Sequence, residues 1–153
     1  MRGKYFKADL IKRPRFWLGL IGCLGADQVS KLWAGGAGLV IINRGVSWGW
    51  GEQFSGLMLL CLLIGLVCFL YWFLYSLWLK YPLESGIFFG AGLSNILDRI
   101  LTGGVKDWWT VPGLEVKNNF ADLAIVGIVS IIIVRIAYEQ YTNLLSRPGS
   151  SGH

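Results

Sequence analysis

Histidine, cysteine and charge are all scarce in this sequence, and each shortage excludes a class of protein. The single histidine is His153, so the chain lacks both the ligand set of a zinc hydrolase and the base of a Ser-His-Asp triad. The motifs H-E-x-x-H and G-x-S-x-G and the Gly-rich phosphate-binding motifs are absent as well. The three cysteines lie in apolar runs without a basic neighbour, which excludes a disulfide framework and a reactive thiolate. They are Cys23, Cys61 and Cys68.

The low charge is matched by a high apolar content. Only 15% of the 153 residues are charged and 54% are hydrophobic, with a mean hydropathy of +0.54. Soluble domains are about 25% charged and about 45–50% apolar, so lipid is the expected solvent of this chain. The length allows one domain, and the net charge of +5 is first of all a signal of membrane topology.

Four segments approach the length of about 20 apolar residues that a helix needs to cross a bilayer. The second is the clearest, because its 23 residues contain no charge. The fourth is interrupted only by Asp122 and Arg135 near its ends, whereas the first contains Asp27 and Lys31. We therefore predict an all-α membrane protein with four transmembrane helices. The predicted segments are a basic leader 1–15, a membrane domain 16–138 with spans at 16–34, 57–79, 83–101 and 120–137, and a tail 139–153.

The distribution of basic residues indicates the orientation of these spans. Of the 14 lysines and arginines, nine lie on the side of the membrane that holds the leader, the link between spans two and three, and the end of span four. The other five lie on the opposite side. Because basic residues accumulate on the cytoplasmic side of a membrane, we expect both termini in the cytoplasm. The loops 35–56 and 102–119 then face the exterior.

Both exterior loops carry patterns typical of short strands. Gly38–Ile42 is rich in β-branched residues, Val46–Trp50 alternates polar and apolar positions, and Val105–Val111 can form a further strand. We expect a small exterior β-element, with four tryptophans at the depth of the lipid headgroups. These tryptophans are Trp48, Trp50, Trp108 and Trp109.

Beyond the leader, the chain has four aspartates, and all of them map to the outer half of the membrane or just outside it. Asp27 lies late in span one, Asp98 ends span three, Asp107 lies in the second exterior loop, and Asp122 begins span four. A charge at the centre of a spanning helix costs about 2.5–3.5 kcal/mol, so four carboxylates at one depth indicate a selected arrangement. The sequence therefore predicts a single polar site at the outer surface.

Helical spacing groups these polar residues further. Asp27 and Lys31 are four residues apart and share a helix face, which favours an ion pair that seats the loops. Asn95, Asp98 and Arg99 form one polar stripe on an apolar helix. Two interpretations of Arg99 stay open here: its guanidinium binds loop carbonyls and a carboxylate, or it contacts a substrate.

Asp107 and Asp122 are the candidates for chemistry. Neither has a cation one helical turn away, and Asn119 shares a face with Asp122. With histidine, cysteine and phosphate-binding motifs excluded, a pair of carboxylates acting as in aspartic proteolysis is the favoured apparatus, one protonated and one ionised.

Two other functions stay open at this point. Lys31 can form a serine–lysine dyad with Ser30 or Ser94. A small proton-coupled transporter would also place carboxylates in the membrane, but it needs polar groups along a path across the bilayer.

Five motifs occur in an order that resembles the lipoprotein signal peptidases (signal peptidase II), over about residues 16–138. This resemblance implies a four-span bacterial aspartic endopeptidase that removes signal peptides from prolipoproteins, cutting before a diacylglyceryl-modified cysteine. The alternative is a non-catalytic membrane relative that binds lipid or lipoprotein, which would keep the helix bundle but would not need both aspartates. The motifs are Asp27-Gln-Val-Ser-Lys31, Asn43-Arg-Gly45-Val-Ser-Trp48, Gly90-Ala-Gly-Leu-Ser-Asn95-Ile-Leu-Asp98-Arg99, Val105-Lys-Asp107-Trp108 and Asn119-Phe-Ala-Asp122.

The same resemblance assigns roles to residues. Asp107 and Asp122 match the catalytic dyad of the family. By the same resemblance, we expect Asn95, Arg99 and Asn119 to contact substrate or inhibitor. Asp27, Lys31 and Asp98 are expected to support the dyad, and Asn43 with Gly45 to form the lip of an exterior cradle.

The resemblance also implies partners and a location. We expect diacylglyceryl-prolipoprotein substrates, membrane lipid and globomycin-type cyclic peptide inhibitors as ligands, with no cofactor, metal or nucleic acid. A monomer is expected in the bacterial cytoplasmic (inner) membrane, with its site on the outer, periplasmic side. Four positions depart from the family pattern and bear on pocket shape: Ala91, Trp48, Trp108 and Asn118.

Overall fold

The computed structural model describes residues 10–45, 56–110, 113 and 117–146, and this part of the chain is mainly helical. A single 3-10 turn, Leu10–Lys12, precedes the first helix. The predicted strand at 46–50, with Trp48 and Trp50, lies outside the described residues, as do most of the leader and the end of the tail. The helices are α1 (Pro14–Gly36), α2 (Gly56–Phe73), α3 (Tyr75–Lys80), α4 (Pro82–Thr102) and α5 (Phe120–Leu145).

Two short antiparallel strand pairs form the β-element. Strand β1 (Ile41–Asn43) pairs with β2 (Val105–Asp107) so that Ile41 lies opposite Asp107. Strand β3 (Trp109–Thr110) pairs with β4 (Lys117–Asn118). The predicted β-element is therefore present as two separate pairs, and β4 was not anticipated from the sequence.

Two of the four helical regions follow the predicted spans closely at both ends. Helices α1 and α4 extend two residues or fewer beyond spans one and three, and α5 continues to Leu145, well past the predicted end at residue 137. Among the described residues, one helix meets the length and apolarity needed to cross a membrane, namely α5. The number of spans therefore stays a prediction.

Span two was predicted as one helix, and the structure divides it at Leu74. The backbone of Leu74 leaves the helical region, with φ −98° and ψ 16°, and its carbonyl caps the short helix α3. The Leu70 carbonyl accepts the indole N–H of Trp78 at 3.1 Å. This side-chain donor lies beside the interruption, and the apolar pattern alone gives no sign of it.

Helices α1 and α4 run parallel and touch backbone to backbone. A Cβ atom added at Gly19 would lie 2.4 Å from the Leu83 carbonyl oxygen, and one added at Gly86 would lie 2.0 Å from the Phe16 oxygen. Gly90 approaches Leu20 in the same way. Only glycine permits this approach, and it brings the later turns of the two helices within reach of short polar side chains.

Apolar packing holds the other end of these helices. A buried cluster joins the starts of α1 and α4 to the middle of α5, which runs antiparallel to them. Its fully or nearly buried members are Leu10, Phe16, Trp78, Tyr81, Ile128 and Ile132. The four predicted aspartates lie at the opposite end, where α1 and α4 finish and α5 begins.

Candidate active site

Asp107 and Asp122 reach the same place from different elements. Asp107 is the last residue of β2, and Asp122 lies in the first turn of α5. One side chain lies between them: Nδ2 of Asn119 donates to Asp107 Oδ1 at 2.7 Å and to Asp122 Oδ2 at 3.0 Å. The two carboxylates predicted as a pair are thus brought together, each within hydrogen-bond distance of a single nitrogen.

Asn119 is placed there by the start of α5. It is the N-cap residue, and its Oδ1 accepts a hydrogen bond from the backbone N–H of Asp122 at 2.9 Å. This cap satisfies one of the free N–H groups at a helix start. Because the amide oxygen is used by the cap, the two amide hydrogens point to the two carboxylates.

Two further asparagines complete the set of donors. Asn95 Nδ2 donates to Asp122 Oδ1 at 2.8 Å, and Asn43 Nδ2 donates to Asp107 Oδ2 at 2.9 Å. All four oxygens of the pair therefore accept one amide hydrogen bond. Each carboxylate oxygen has a second acceptor site, which a water or a substrate group can use.

The orientation of these two amides is also fixed by their oxygens. Asn95 Oδ1 accepts from the Lys31 ammonium at 3.0 Å, and Asn43 Oδ1 accepts from the Gly45 backbone N–H at 3.0 Å. The contact with Gly45 is an Asx turn, in agreement with the turn-like tripeptide in the sequence. Of the predicted lip residues, Asn43 thus contacts Asp107 directly, and Gly45 holds the Asn43 side chain in place.

The predicted support residues form a buried ion cluster. Lys31 Nζ lies 2.6 Å from Asp27 Oδ2 and 2.8 Å from Asp98 Oδ2, and all three side chains are 0% exposed. The pair of Asp27 and Lys31 agrees with their spacing. The sequence groups Asp98 with Arg99, whereas in the structure the Asp98 carboxylate forms its ion pair with Lys31.

Two residues of this cluster were missed as structural donors. Ser94 Oγ donates to Asp27 Oδ2 at 2.6 Å and accepts from Gln28 Nε2 at 2.8 Å. Gln28 also reaches Asp98 Oδ1 at 3.2 Å. The signal was available, because Ser94 and Asp98 share the face of α4 that meets α1.

A serine–lysine dyad does not match this geometry. The Lys31 ammonium is bound by three oxygen acceptors, two of them carboxylates, and neither Ser30 nor Ser94 is among these partners. Ser94 gives its hydrogen to Asp27, and Ser30 gives its hydrogen to the Asp27 carbonyl at 2.7 Å.

Arg99 follows the first of the two interpretations in part. Its guanidinium donates to the carbonyls of Gly45 at 3.2 Å and Asn95 at 3.3 Å. No carboxylate is bound to it among the described residues, and its buried Nε has no partner there. The side chain joins the loop after β1 to α4 and also lines the cavity described below.

Burial raises the pKa of Asp107 above the ordinary value of an aspartate. The hydrogen bonds from Asn119 and Asn43 and the charges of Lys31 and Arg99 act in the opposite direction and lower this pKa. The upward shift therefore reflects removal of the carboxylate from water, and the asparagines moderate it.

A cavity of about 570 Å³ begins at the two aspartates and continues between α2, α4 and α5. Its polar end is formed by Asn43, Asn95, Arg99, Asp107 and Asp122. Its remaining walls are mainly apolar and include Leu66, Leu70, Phe88, Phe89 and Ile125. Of the four departures from the family pattern, Asn118 lines this cavity, Ala91 is buried against Cys23 and Ala121, and Trp108 packs edge-on against Trp33 at 5.8 Å.

Fold and site together define a helical protein with a carboxylate pair, buried Asp107 and half-buried Asp122, at the polar end of a mainly apolar cavity. A sequence profile of the family described as signal peptidase (SPase) II matches residues 20–138. This chain therefore belongs to the signal peptidase II family, a family of peptidases.

Individual relatives agree with this membership. The chain is 33% identical to the lipoprotein signal peptidase of Helicobacter acinonychis (strain Sheeba), over 69% of this chain and 70% of that protein. It is 28% identical to the lipoprotein signal peptidase of Methylorubrum extorquens (strain PA1), over 89% and 94%. A solved structure described as a bacterial membrane enzyme has the same fold, with a TM-score of 0.57 at 19% identity, covering 100% of this chain and 99% of that one.

Proposed function

We propose that this chain is an aspartic endopeptidase that removes signal peptides from diacylglyceryl-modified prolipoproteins, cutting before the lipidated cysteine. Asp107 and Asp122 are its catalytic dyad. The observation that carries the proposal is the Asn119 amide, whose nitrogen lies within hydrogen-bond distance of both carboxylates at the mouth of the cavity. Family membership supports the substrate class.

The dyad works with one proton between its two members, because two adjacent carboxylates cannot both be ionised at low cost. The ionised member takes a proton from a water molecule, and the resulting hydroxide equivalent attacks the scissile carbonyl carbon. The protonated member donates its proton to the carbonyl oxygen. In the collapse of this tetrahedral intermediate, the C–N bond breaks and the member that took the water proton passes it to the leaving amine. The other member takes a hydroxyl proton from the intermediate as the carbonyl forms again, which restores the dyad.

The cavity accounts for a substrate that is both peptide and lipid. Its apolar walls between α2, α4 and α5 accept acyl chains or apolar signal residues, while the scissile bond lies at the polar end. In this proposal Asn95, Arg99 and Asn119 contact substrate, and globomycin-type cyclic peptides compete for the same cavity.

The proposal includes the membrane arrangement expected from the sequence. Helices α1, α2 with α3, α4 and α5 are the four spans of a monomer in the bacterial cytoplasmic membrane, with both termini in the cytoplasm. The dyad then lies at the outer surface, where lipidated substrates arrive within the bilayer and water reaches the carboxylates.

The two binding or transport alternatives receive less support. The cavity is polar at the dyad and apolar at Leu20, Phe88 and Phe89, so the described residues offer no polar path to the other side. Binding lipid alone does not require the four hydrogen bonds that three asparagine amides donate to the two carboxylates.

A cleavage assay with a diacylglyceryl-modified prolipoprotein in mixed micelles tests the proposal. Asp107→Asn and Asp122→Asn should each reduce turnover by on the order of 10³-fold or more, since neither acid nor base can be replaced by an amide. Glu139→Gln is the matched control, because Glu139 pairs with Lys80 and Tyr81 at the other end of the bundle. Substantial turnover by a folded Asp122→Asn protein would refute the proposal that Asp107 and Asp122 are the catalytic dyad.

A further inference from the structure

In the described part of the chain, Lys31 makes no hydrogen bond to Asp107 or Asp122, yet its partners hold the backbone just before each of them. We infer that Lys31 is a positioning residue, which sets the separation of the two carboxylates by acting through Asp27 and Asp98. The catalytic consequence rests on the proposed function, whereas the geometric claim does not.

The first contact holds the start of α5. Asp27 Oδ1 accepts a hydrogen bond from the backbone N–H of Ala121 at 2.8 Å. Ala121 is fully buried and directly precedes Asp122. Asp27 therefore fixes the backbone from which the Asp122 side chain begins.

The second contact holds β2 in the same manner. Asp98 Oδ2 accepts a hydrogen bond from the backbone N–H of Lys106 at 3.1 Å, and Lys106 directly precedes Asp107. The two support aspartates thus hold equivalent positions, one residue before each member of the dyad.

Lys31 joins these two contacts into one unit. Its ammonium is bound to Asp27 Oδ2 and Asp98 Oδ2, so a single cation links the carboxylates that hold the two backbones. A third link runs through Asn95, which accepts from Lys31 and donates to Asp122 Oδ1. We name Asp27, Lys31, Asp98 and Asn95 the clamp.

The cation is needed because the clamp is buried. Two carboxylates without solvent repel each other strongly, and removal of the one charge between them leaves both uncompensated. Asp27 and Asp98 would then move apart or recruit water, and the backbones of Ala121 and Lys106 would move with them. A change of about 1 Å in the position of reacting groups costs on the order of 100-fold in rate.

A cross-linking experiment measures the separation without any cleavage of substrate. Asp107→Cys and Asp122→Cys are introduced together, in a background where Cys23, Cys61 and Cys68 are replaced by alanine. Bis-methanethiosulfonate reagents of increasing spacer length are applied in detergent, and mass spectrometry quantifies the linked product. The probe reports on the backbone positions that the clamp holds.

With Lys31 present, we expect one narrow range of spacer lengths to react. Lys31→Met should shift this range to longer spacers or broaden it, and Lys80→Met should leave it unchanged. Lys80 is the matched control because it also pairs with a carboxylate, Glu139, but far from the dyad. Asp98→Asn is a milder second variant, since its amide oxygen can still accept from Lys106 while the charged link to Lys31 is lost.

Steady-state kinetics on the otherwise unsubstituted protein separate positioning from binding. Lys31→Met should lower kcat by on the order of 100-fold, and Asp98→Asn by on the order of 10-fold, with KM for the lipidated substrate within about twofold of the unsubstituted value. The KM is expected to persist because Asn95 is the one clamp residue in the cavity lining, and the apolar walls that bind the lipid part of the substrate lie outside the clamp.

The outcomes distinguish the two proposals. An unchanged spacer preference in both Lys31→Met and Asp98→Asn overturns the clamp, whatever happens to cleavage, and so does a rise in KM without a fall in kcat. If Lys31→Met does not fold, Asp98→Asn alone decides. A shifted spacer preference in a protein whose Asp107→Asn variant still cleaves would uphold the clamp and refute the aspartic mechanism.

Discussion

Asp107 and Asp122 accept hydrogen bonds from the same nitrogen atom, Nδ2 of Asn119. That residue also caps α5 through its side-chain oxygen. The Asn119 amide therefore has two roles that can be tested separately. Its oxygen caps the start of α5, and its nitrogen holds the two carboxylates together.

Serine and alanine at position 119 separate these roles. Asn119→Ser keeps an oxygen that can cap α5 but removes both amide donors, so cleavage should fall by on the order of 10-fold to 100-fold at nearly unchanged stability. Asn119→Ala removes the cap as well and should also lose about 1 kcal/mol of unfolding free energy. Thermal unfolding in detergent and turnover are measured side by side. Equal activity in Asn119→Ser and the unsubstituted protein would contradict the alignment role.

Asn43 offers a test through pH. Burial raises the pKa of Asp107, and the hydrogen bond from Asn43 favours the ionised form and lowers that pKa. Asn43→Ala should therefore raise the pKa of Asp107 further. The acidic limb of the kcat profile, which requires one ionised carboxylate, should therefore move to higher pH.

The control for this shift is Asn143→Ala, which changes an exposed asparagine near the end of α5. Its pH profile should match that of the unsubstituted protein. An acidic limb that stays in place in Asn43→Ala, or moves to lower pH, would show that the Asn43 amide does not favour the ionised form of Asp107. Both apparent pKa values belong to the coupled pair, so the whole profile is compared.

Two glycines on one turn of α1 test the close approach of α1 and α4. A methyl group at Gly19 would lie 2.4 Å from the Leu83 carbonyl oxygen, whereas one at Gly22 meets nothing within 4 Å. Gly19→Ala should therefore lower the unfolding free energy by about 1–3 kcal/mol, because the helices must separate. Gly22→Ala should be neutral or slightly stabilising. Equal unfolding midpoints of Gly19→Ala and Gly22→Ala in detergent would show that the contact between α1 and α4 does not require glycine at position 19.

The parts of the site that depend on short spacing could be predicted from the sequence. Asp27 and Lys31 form the ion pair expected four residues apart, and Asn119 contacts Asp122 as their spacing of three indicates. The bounds of α1 and α4 were predictable to within two residues, because charged or glycine-rich stretches flank their apolar runs, whereas the end of α5 and the break at Leu74 were not. Proximity of Asp107 to Asp122 was inferred from depth in the membrane, and the Asn119 bridge agrees with it.

What could not be predicted depends on contacts between distant elements. The link from Lys31 to Asp98 requires α1 and α4 to touch at glycine, which no pattern within either helix reveals. The N–H of Lys106 and that of Ala121 are backbone groups, so their use by Asp98 and Asp27 leaves no trace in residue type. Strand β4 has only two residues, too few for an alternating pattern.

The apolar walls of the cavity have a consequence for how the rate depends on conditions. On the proposed function, enzyme and lipidated peptide meet by diffusion in two dimensions, so the governing concentration is the number of peptides per lipid rather than the number per litre. Added detergent would then slow cleavage by surface dilution, while the same volume of buffer would leave the initial rate per enzyme nearly constant.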